Sequence, residues 1–505
     1  MKYLSVPILM LFCLLNCTLI RAQQDGVYSI LNFGAKGDGV QLNTTAIQRT
    51  IDSCAKNGGG KVIVPPGDYL TGPLFLKSNL SFEVFPGATL IFSDDIDNCP
   101  IIDGKWEGIE RKVYASIFTG HNLENVTITG RGTIEGQGER WWKAHEETKA
   151  RRKEAGITER EPDNPPGSPL KVPRPRMINL YNCTNVLISQ LTFLNSPAWT
   201  IHPVYCQNVQ VDGITIIQPY DSHNTDGINP ESCQNVRITN CFVDVGDDCI
   251  TIKSGYNEDG RRVAKPCEDI VISNCTFAHG RSAIGIGSEM SGDVRNITVS
   301  NCVFNGTLRG IRVKTGRGRG GVVENIRVSN IVMSNIRDAI SLDMYYGDKD
   351  SGTYAVTEET PFFKNIHLDN ITAHNVENAA HIFGLPEAPI EGLSITNSNF
   401  DATNGFSIRN VTELDIRDVK INNREKASLE LQASRFVRID NLIANPGTFD
   451  TPAILLSKNT DVLIHHCKSN KKLKTFLRSK QTKGLILDSN WINPDQIKLD
   501  EHEKE

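Results

Sequence analysis

Three carboxylates lie close together in the chain. Asp226 sits in Asn224-Thr225-Asp226-Gly227-Ile228-Asn229-Pro230, and Asp247 and Asp248 sit in Val245-Gly246-Asp247-Asp248-Cys249-Ile250. Paired carboxyl groups are what hydrolysis of a glycosidic bond requires, since one protonates the leaving oxygen while another activates water. Carboxylates crowded together cannot all ionise easily, so one of them should have a raised pKa and remain a proton donor at neutral pH. Taken singly, each Asp-Gly or Gly-Asp pair reads as a turn between strands. What lifts the three above turns is the company they keep further along: His279 in Ala278-His279-Gly280-Arg281-Ser282, Arg312-Val313-Lys314, and Tyr345-Tyr346. His279 is a candidate to tune the acid electrostatically. Arg312 and Lys314, two apart in a strand, face one side and can grip a substrate carboxylate.

The elements that must position these residues are repetitive. A phrase of Asn followed by an alternating β-branched run recurs as Glu124-Asn125-Val126, Thr184-Asn185-Val186, Gln207-Asn208-Val209, Gln234-Asn235-Val236, Arg295-Asn296-Ile297, Glu324-Asn325-Ile326 and Lys364-Asn365-Ile366. Glu268-Asp269-Ile270 is a variant of it, and looser copies fall around Leu393, Leu414, Val437 and Val462. Strand-sized repeats with Gly and Asn turns and almost no helical periodicity predict a single-stranded parallel β-helix, an all-β solenoid. Asp226, the Asp247–Asp248 pair, His279 and Arg312 with Lys314 then belong to consecutive coils. Coils stack about 4.8 Å apart, so these scattered motifs become one groove. Neighbouring strand residues point to opposite faces, so Asp247 and Asp248 serve one site only at a strand end or bulge, which Gly246 permits.

The ends and interruptions are legible too. Lys2, the apolar run Leu4 to Leu15 and Ala22 read as a secretory leader over residues 1–22; Cys17 offers lipid attachment as a weaker alternative, because Asn16 is a poor residue before an acylated cysteine. Residues 23–75 form a strand–helix cap with the first coils, the helix starting at Asn43 and running to Cys54. Residues 76–480 form the β-helix, and 481–505 a tail. Gly138 to Lys153 reads as a short charged helix followed by a Pro-rich loop to Pro175, in which Trp141 and Trp142 either stack on sugars or anchor the segment. The chain has 505 residues and a net charge of −5, which leaves no basic footprint for nucleic acid. No stretch after the leader is long and apolar enough to span a membrane. Of thirteen cysteines, Cys13 and Cys17 fall in the leader. The rest lack zinc-site spacing and read mainly as stacked small hydrophobes, with a few disulfides compatible with export. Gly316-Arg317-Gly318-Arg319-Gly320-Gly321 matches a dinucleotide-binding pattern but lacks the βαβ setting; Arg317 and Arg319 are placed on a loop rimming the groove.

Asn224-Thr225-Asp226, Gly246-Asp247-Asp248, His279-Gly280 and Arg312-Val313-Lys314 together resemble the four signature motifs of the polygalacturonase family, glycoside hydrolase family 28. The order matches, and the resemblance spans roughly residues 28 to 470, with Tyr28–Gly39 and Ser196-Pro197-Ala198-Trp199 similar to bacterial and plant members. It implies a right-handed solenoid and inverting hydrolysis of α-1,4-linked galacturonic acid, with Asp247 as general acid and Asp226 and Asp248 activating water. It further implies His279 near the acid, and Asn224, Arg312, Lys314 and a tyrosine binding the acidic polysaccharide. That tyrosine is Tyr346, with Tyr345 its rival. No cofactor and no metal are implied. Ala278 and Val313 are mild departures from the family pattern, and Ser288-Glu289-Met290-Ser291-Gly292 resembles members that act from chain ends. Inversion leads one to expect acid and base carboxyls roughly 6.5–9.5 Å apart. Activity on rhamnogalacturonan or another branched pectin is the close alternative. A calcium-dependent pectate lyase and a non-catalytic polysaccharide-binding solenoid are the remoter ones.

Overall fold

The structure is a computed structural model that describes residues 26–157, 164–347, 350 and 352–500; the expected leader lies outside them. The chain winds into a right-handed parallel β-helix whose coils present three strand faces. The repeated phrase builds the first face. Its apolar residue occupies the same inward position coil after coil, in register from Val126 through Val186, Val209, Val236, Ile270, Ile297 and Ile326 to Ile366. The looser copies Leu393, Leu414, Val437 and Val462 continue the same column. All are buried, so the solenoid core is a stack of like residues filling the space between faces.

The Asn of the phrase has a separate job. Asn125, Asn185, Asn208, Asn235, Asn296, Asn325 and Asn365 all adopt left-handed backbone with φ between 51° and 58°, a region that Asn tolerates because its short amide bonds locally. Here the amides bond from coil to coil: Asn185 donates to Asn125 at 3.0 Å, Asn208 to Asn185 at 3.1 Å and Asn325 to Asn296 at 3.0 Å. The turn residue is thus also a ladder rung. The cysteines stack likewise. All eleven described cysteines are buried free thiols, and the Cys183 and Cys233 amides donate to the sulfurs of Cys206 and Cys267, each at 3.4 Å. Disulfides are therefore absent among the described residues.

Helix α1 (Thr44–Lys56) buries Ile47, Ile51 and Cys54 against the first coils. Helix α2 (Gly138–Glu154) occupies the charged segment that the sequence reads as a helix. Trp141 is fully buried in it against Phe92 and Tyr114, and Trp142 donates to the Ser196 carbonyl at 2.9 Å. Both tryptophans are therefore anchors. An antiparallel hairpin, Ile101–Trp106 with Ile109–Tyr114, and a short helix α3 (Asn257–Val263) have no counterpart in the sequence-based expectation. They brace one another through Arg262 and Glu110 at 3.2 Å. Coil stacking also outlasts the expected boundary at 480: Lys483–Asp488 pairs with Thr460–His465, and Ile497–Leu499 with Leu477–Lys480. Charged outward residues mask the apolar alternation there. No described helix is long and apolar enough to cross a membrane.

Candidate active site

The third face carries the site. Its strands Ile250–Ile252, Ile284–Gly287 and Arg309–Lys314 pair in register, which stacks Thr251, Gly285 and Arg312 on one outward row. Lys314 lies over Gly287 in the next row. A side chain at 285 would reach to 3.4 Å from the Asp248 carboxylate, so the bare backbone leaves the floor open there. The aspartates come from the turns leading into this face. Gly227 and Gly246 let those turns close on each other, since a Cβ on Gly227 would sit 2.4 Å from the Cys249 carbonyl and one on Gly246 would sit 2.3 Å from that of Ser222. The Gly227 amide then donates to the Asp248 carbonyl at 3.0 Å. Asp247 and Asp248 lie in the turn before Ile250, not inside the strand, and both side chains reach the same cleft.

Asp226, Asp247 and Asp248 each place one oxygen within 4.8 Å of the others. Between nearest oxygens this is shorter than the roughly 6.5–9.5 Å expected for inversion. The spacing of the trio therefore gives inversion no support. The surroundings of the three differ sharply. Asp248 is buried and accepts from Lys314 Nζ at 2.9 Å through Oδ2. Burial alone would raise it, yet Lys314 and Arg312 hold it well below the usual carboxylate range. Its Oδ1 is buried, and the Ser282 hydroxyl beside the carboxylate adds to the stabilisation of the charge. Burial, then the Asp248 charge, pushes Asp247 up, while Arg281 Nε at 3.6 Å opposes the shift. Burial and the Asp247 charge push Asp226 up as well, and it accepts from Asn229 at 3.2 Å and Thr251 at 3.4 Å. The three titrate as a set: one ionised group and two that favour a proton.

The cleft has a volume of about 500 Å³. Asn224, Asp226, Asp247, Asp248, Arg312, Lys314 and Tyr346 all line it. Arg312 and Lys314 lie over the Tyr346 ring at 5.3 and 5.5 Å, whereas Tyr345 is packed between Arg317 and Arg409; of the two tyrosines, Tyr346 lines the cleft. Asn224 is fixed by Arg174, whose guanidinium donates to its Oδ1 at 2.9 Å and to the Pro197 and His223 carbonyls.

His279 is the exception. Its side chain is half exposed, bonds Asp244 through Nδ1 at 2.9 Å, and is not among the cleft residues. The chain passes beneath Asp247 at Gly280, where a Cβ would sit 2.6 Å from the Asp247 carbonyl, and the next side chain, Arg281, is the one that meets the Asp247 carboxylate. Replacing His279 by Ala should therefore change kcat/KM by less than about ten-fold, because no contact to the reacting atoms is removed; steady-state kinetics on a galacturonate oligomer checks this. Arg317 and Arg319 belong to the scaffold, bonded to Glu387 at 2.6 Å and to the Ser288 carbonyl at 3.0 Å.

Lys253 and Glu107 line the cleft but are not singled out from sequence, where Glu289 and Trp199 figure only within family-like motifs. Lys253 and Glu289 form a buried pair at 3.3 Å, with the ammonium 4.9 Å from the Trp199 ring centre. Trp199 stacks on Trp106 of the hairpin at 4.6 Å, and Glu107 at the hairpin tip enters the cleft. The available signal was the charge of Lys253 directly after the apolar run Ile250–Ile252.

Residues 54–412 match the sequence profile of the glycosyl hydrolases family 28. A probable polygalacturonase of Vitis vinifera is 37% identical over 379 residues, which cover 73% of each chain. An exo-poly-alpha-D-galacturonosidase of Dickeya chrysanthemi is 26% identical over 84% of this chain and 75% of its own. The crystal structure of a hyperthermoactive exopolygalacturonase from Thermotoga maritima superposes with a TM-score of 0.66 at 31% identity, covering 78% of this chain and 88% of that one. With its profile match running through every coil that contributes to the cleft, this chain belongs to the glycosyl hydrolases family 28.

Proposed function

We propose that this glycoside hydrolase cleaves α-1,4-galacturonosyl linkages in pectin from a chain end, with inversion, after export from the cell. The observation that carries the substrate is the cation pair Arg312 and Lys314, gathered over Tyr346 beside the carboxylate trio. Such a pair suits a uronate carboxylate next to the bond being cut. Asp247 gives its proton to the glycosidic oxygen. Asp248, held ionised, takes the proton of the attacking water as the bond to the sugar carbon forms, and Asp226 beside it holds that water in place. The leaving sugar departs with the proton from Asp247, and the sugar that gains the water oxygen has inverted configuration. The Ser288-Glu289-Met290-Ser291-Gly292 stretch, whose Ser288 and Glu289 line the cleft, supports chain-end action. The relatives from Dickeya chrysanthemi and Thermotoga maritima, named as exo-acting enzymes, point the same way. Export rests on the leader pattern of residues 1–22.

Chromatography of products from polygalacturonate tests this. The expected result is mono- or digalacturonate from the first minutes with little loss of viscosity, and β-configured new ends by NMR. An early ladder of long oligomers would overturn chain-end action, and α-configured ends would overturn inversion. Turnover of rhamnogalacturonan alone would overturn the substrate.

A further inference from the structure

Far from the cleft, on the last coils, two consecutive histidines lie against carboxylates from the coils on either side. Strands Arg435–Asp440, Thr460–His465 and Lys483–Asp488 pair in register, which stacks Asp440, His465 and Asp488 directly over one another. The next position along the coil is left-handed and is filled by Asn301, Asn330, Asn370, Asn397 and Asn441 on other coils. Among these, Asn330 donates to Asn301 and Asn370 to Asn330. On this coil the position is His466, also left-handed at φ 52°. That conformation swings its ring onto the side of His465, and the two ring centres are 3.6 Å apart.

The donor atoms converge. Asp440 Oδ1 is 3.3 Å from His465 Nδ1 and 3.3 Å from His466 Nδ1, and one ligating atom from each of the three residues lies within 4.8 Å of the others. Zinc–ligand bonds of about 2.0–2.1 Å at the tetrahedral angle place neighbouring donor atoms about 3.3 Å apart. The remaining polar atoms hold this arrangement. Asp488 Oδ2 faces His465 Nε2 at 3.1 Å, which suits a ring that keeps its proton on Nε2 and turns the Nδ1 lone pair toward an ion, the carboxylate–histidine relay that orients metal-binding imidazoles. Arg438 binds the other oxygen of Asp440 at 2.8 Å and leaves Oδ1 to the histidines. Ser489 donates to Asp488 Oδ1 at 3.0 Å.

We propose that Asp440, His465 and His466 form a site for a divalent transition ion of the zinc class, with Asp488 as its supporting carboxylate. Two imidazoles and one carboxylate favour zinc, nickel or copper over calcium and magnesium, which prefer oxygen ligands. A bound ion would join neighbouring coils near the C-terminal end of the solenoid. Calorimetric titration of zinc chloride into the metal-stripped full chain tests it, with the thermal midpoint measured in zinc and in calcium. The expected result is one zinc per chain and a midpoint raised by zinc but not by calcium. Affinity should fall about 10–100-fold in Asp488→Asn and further in His466→Asn. The latter restores the residue that the column uses elsewhere and leaves the carboxylate trio of the cleft intact, so its hydrolysis of polygalacturonate should equal that of the wild type and report a folded chain. Absence of zinc binding up to millimolar concentration, or wild-type affinity in His466→Asn, would overturn the proposal.

Discussion

Asp247→Asn should lower kcat on a galacturonate oligomer by about 10²–10⁴-fold, the usual contribution of a positioned general acid, with KM changed only a few-fold. Asp247 is one of the two carboxyls that favour a proton: burial and the neighbouring Asp248 charge both favour its neutral form. An amide of the same shape keeps the contacts and loses the transferable proton. Loss of folding will not explain the effect. A carboxyl whose pKa is raised on folding costs stability once pH passes above its unfolded value, and the full cost is reached above its folded value. The neutral amide removes that cost, so the unfolding midpoint at neutral pH should stay constant or rise. A substrate with a nitrophenolate leaving group separates the roles, since that group needs little protonation. It should recover most of the rate in Asp247→Asn but not in Asp248→Asn, where the ionised group beside the water is missing. Equal loss on both substrates would reject Asp247 as the acid.

The parts of this site that were legible in sequence are those set by periodicity. The spacing of the Asn-Val phrase fixes which residues share a column, and the columns Val126 to Val462 follow it without a break. Once the columns exist, Asp226, Asp248, Arg312 and Lys314 must meet, because their coils are adjacent and their glycine neighbours admit close approach. What periodicity does not encode is direction within a turn. His279 and Arg281 flank Gly280, and which of them reaches Asp247 depends on a backbone torsion of φ 137° at that glycine, which residue spacing cannot reveal. The hairpin Ile101–Tyr114 was invisible for another reason. Its strands are held by tertiary partners, Trp199 on Trp106 and Arg262 on Glu110, far from it in the chain. The buried Lys253–Glu289 pair likewise becomes meaningful only when two coils are stacked.

Lys314→Met should act on both stability and the pH profile, and the two effects share one cause. Lys314 and Asp248 are bonded at 2.9 Å with side chains 9% and 3% exposed. Removing one partner of a buried pair leaves an uncompensated charge, which costs about 3–5 kcal/mol; denaturant unfolding at pH 7 should show a loss of that order. The sign with pH follows from Asp248. Its folded pKa lies below the unfolded value because Lys314 and Arg312 outweigh burial. The pair therefore stabilises the wild type above the unfolded carboxylate value, and that stability is lost as pH falls toward the folded value. The variant lacks the term, so the gap between the two proteins should be widest near neutrality and narrow in acid. Catalysis follows the same shift. With only Arg312 opposing burial, Asp248 takes up a proton at higher pH, so the acidic limb of kcat/KM should move upward. KM should rise as well, because one of the two cations facing the uronate is gone. An arginine at 314 should restore charge and much of the stability but not the full rate, since a planar fork does not occupy the point position of the ammonium over Gly287. An acidic limb unmoved in Lys314→Met would mean that Asp248 is not the ionised group on which turnover depends, and the division of labour among the three aspartates would have to be redrawn around Asp226.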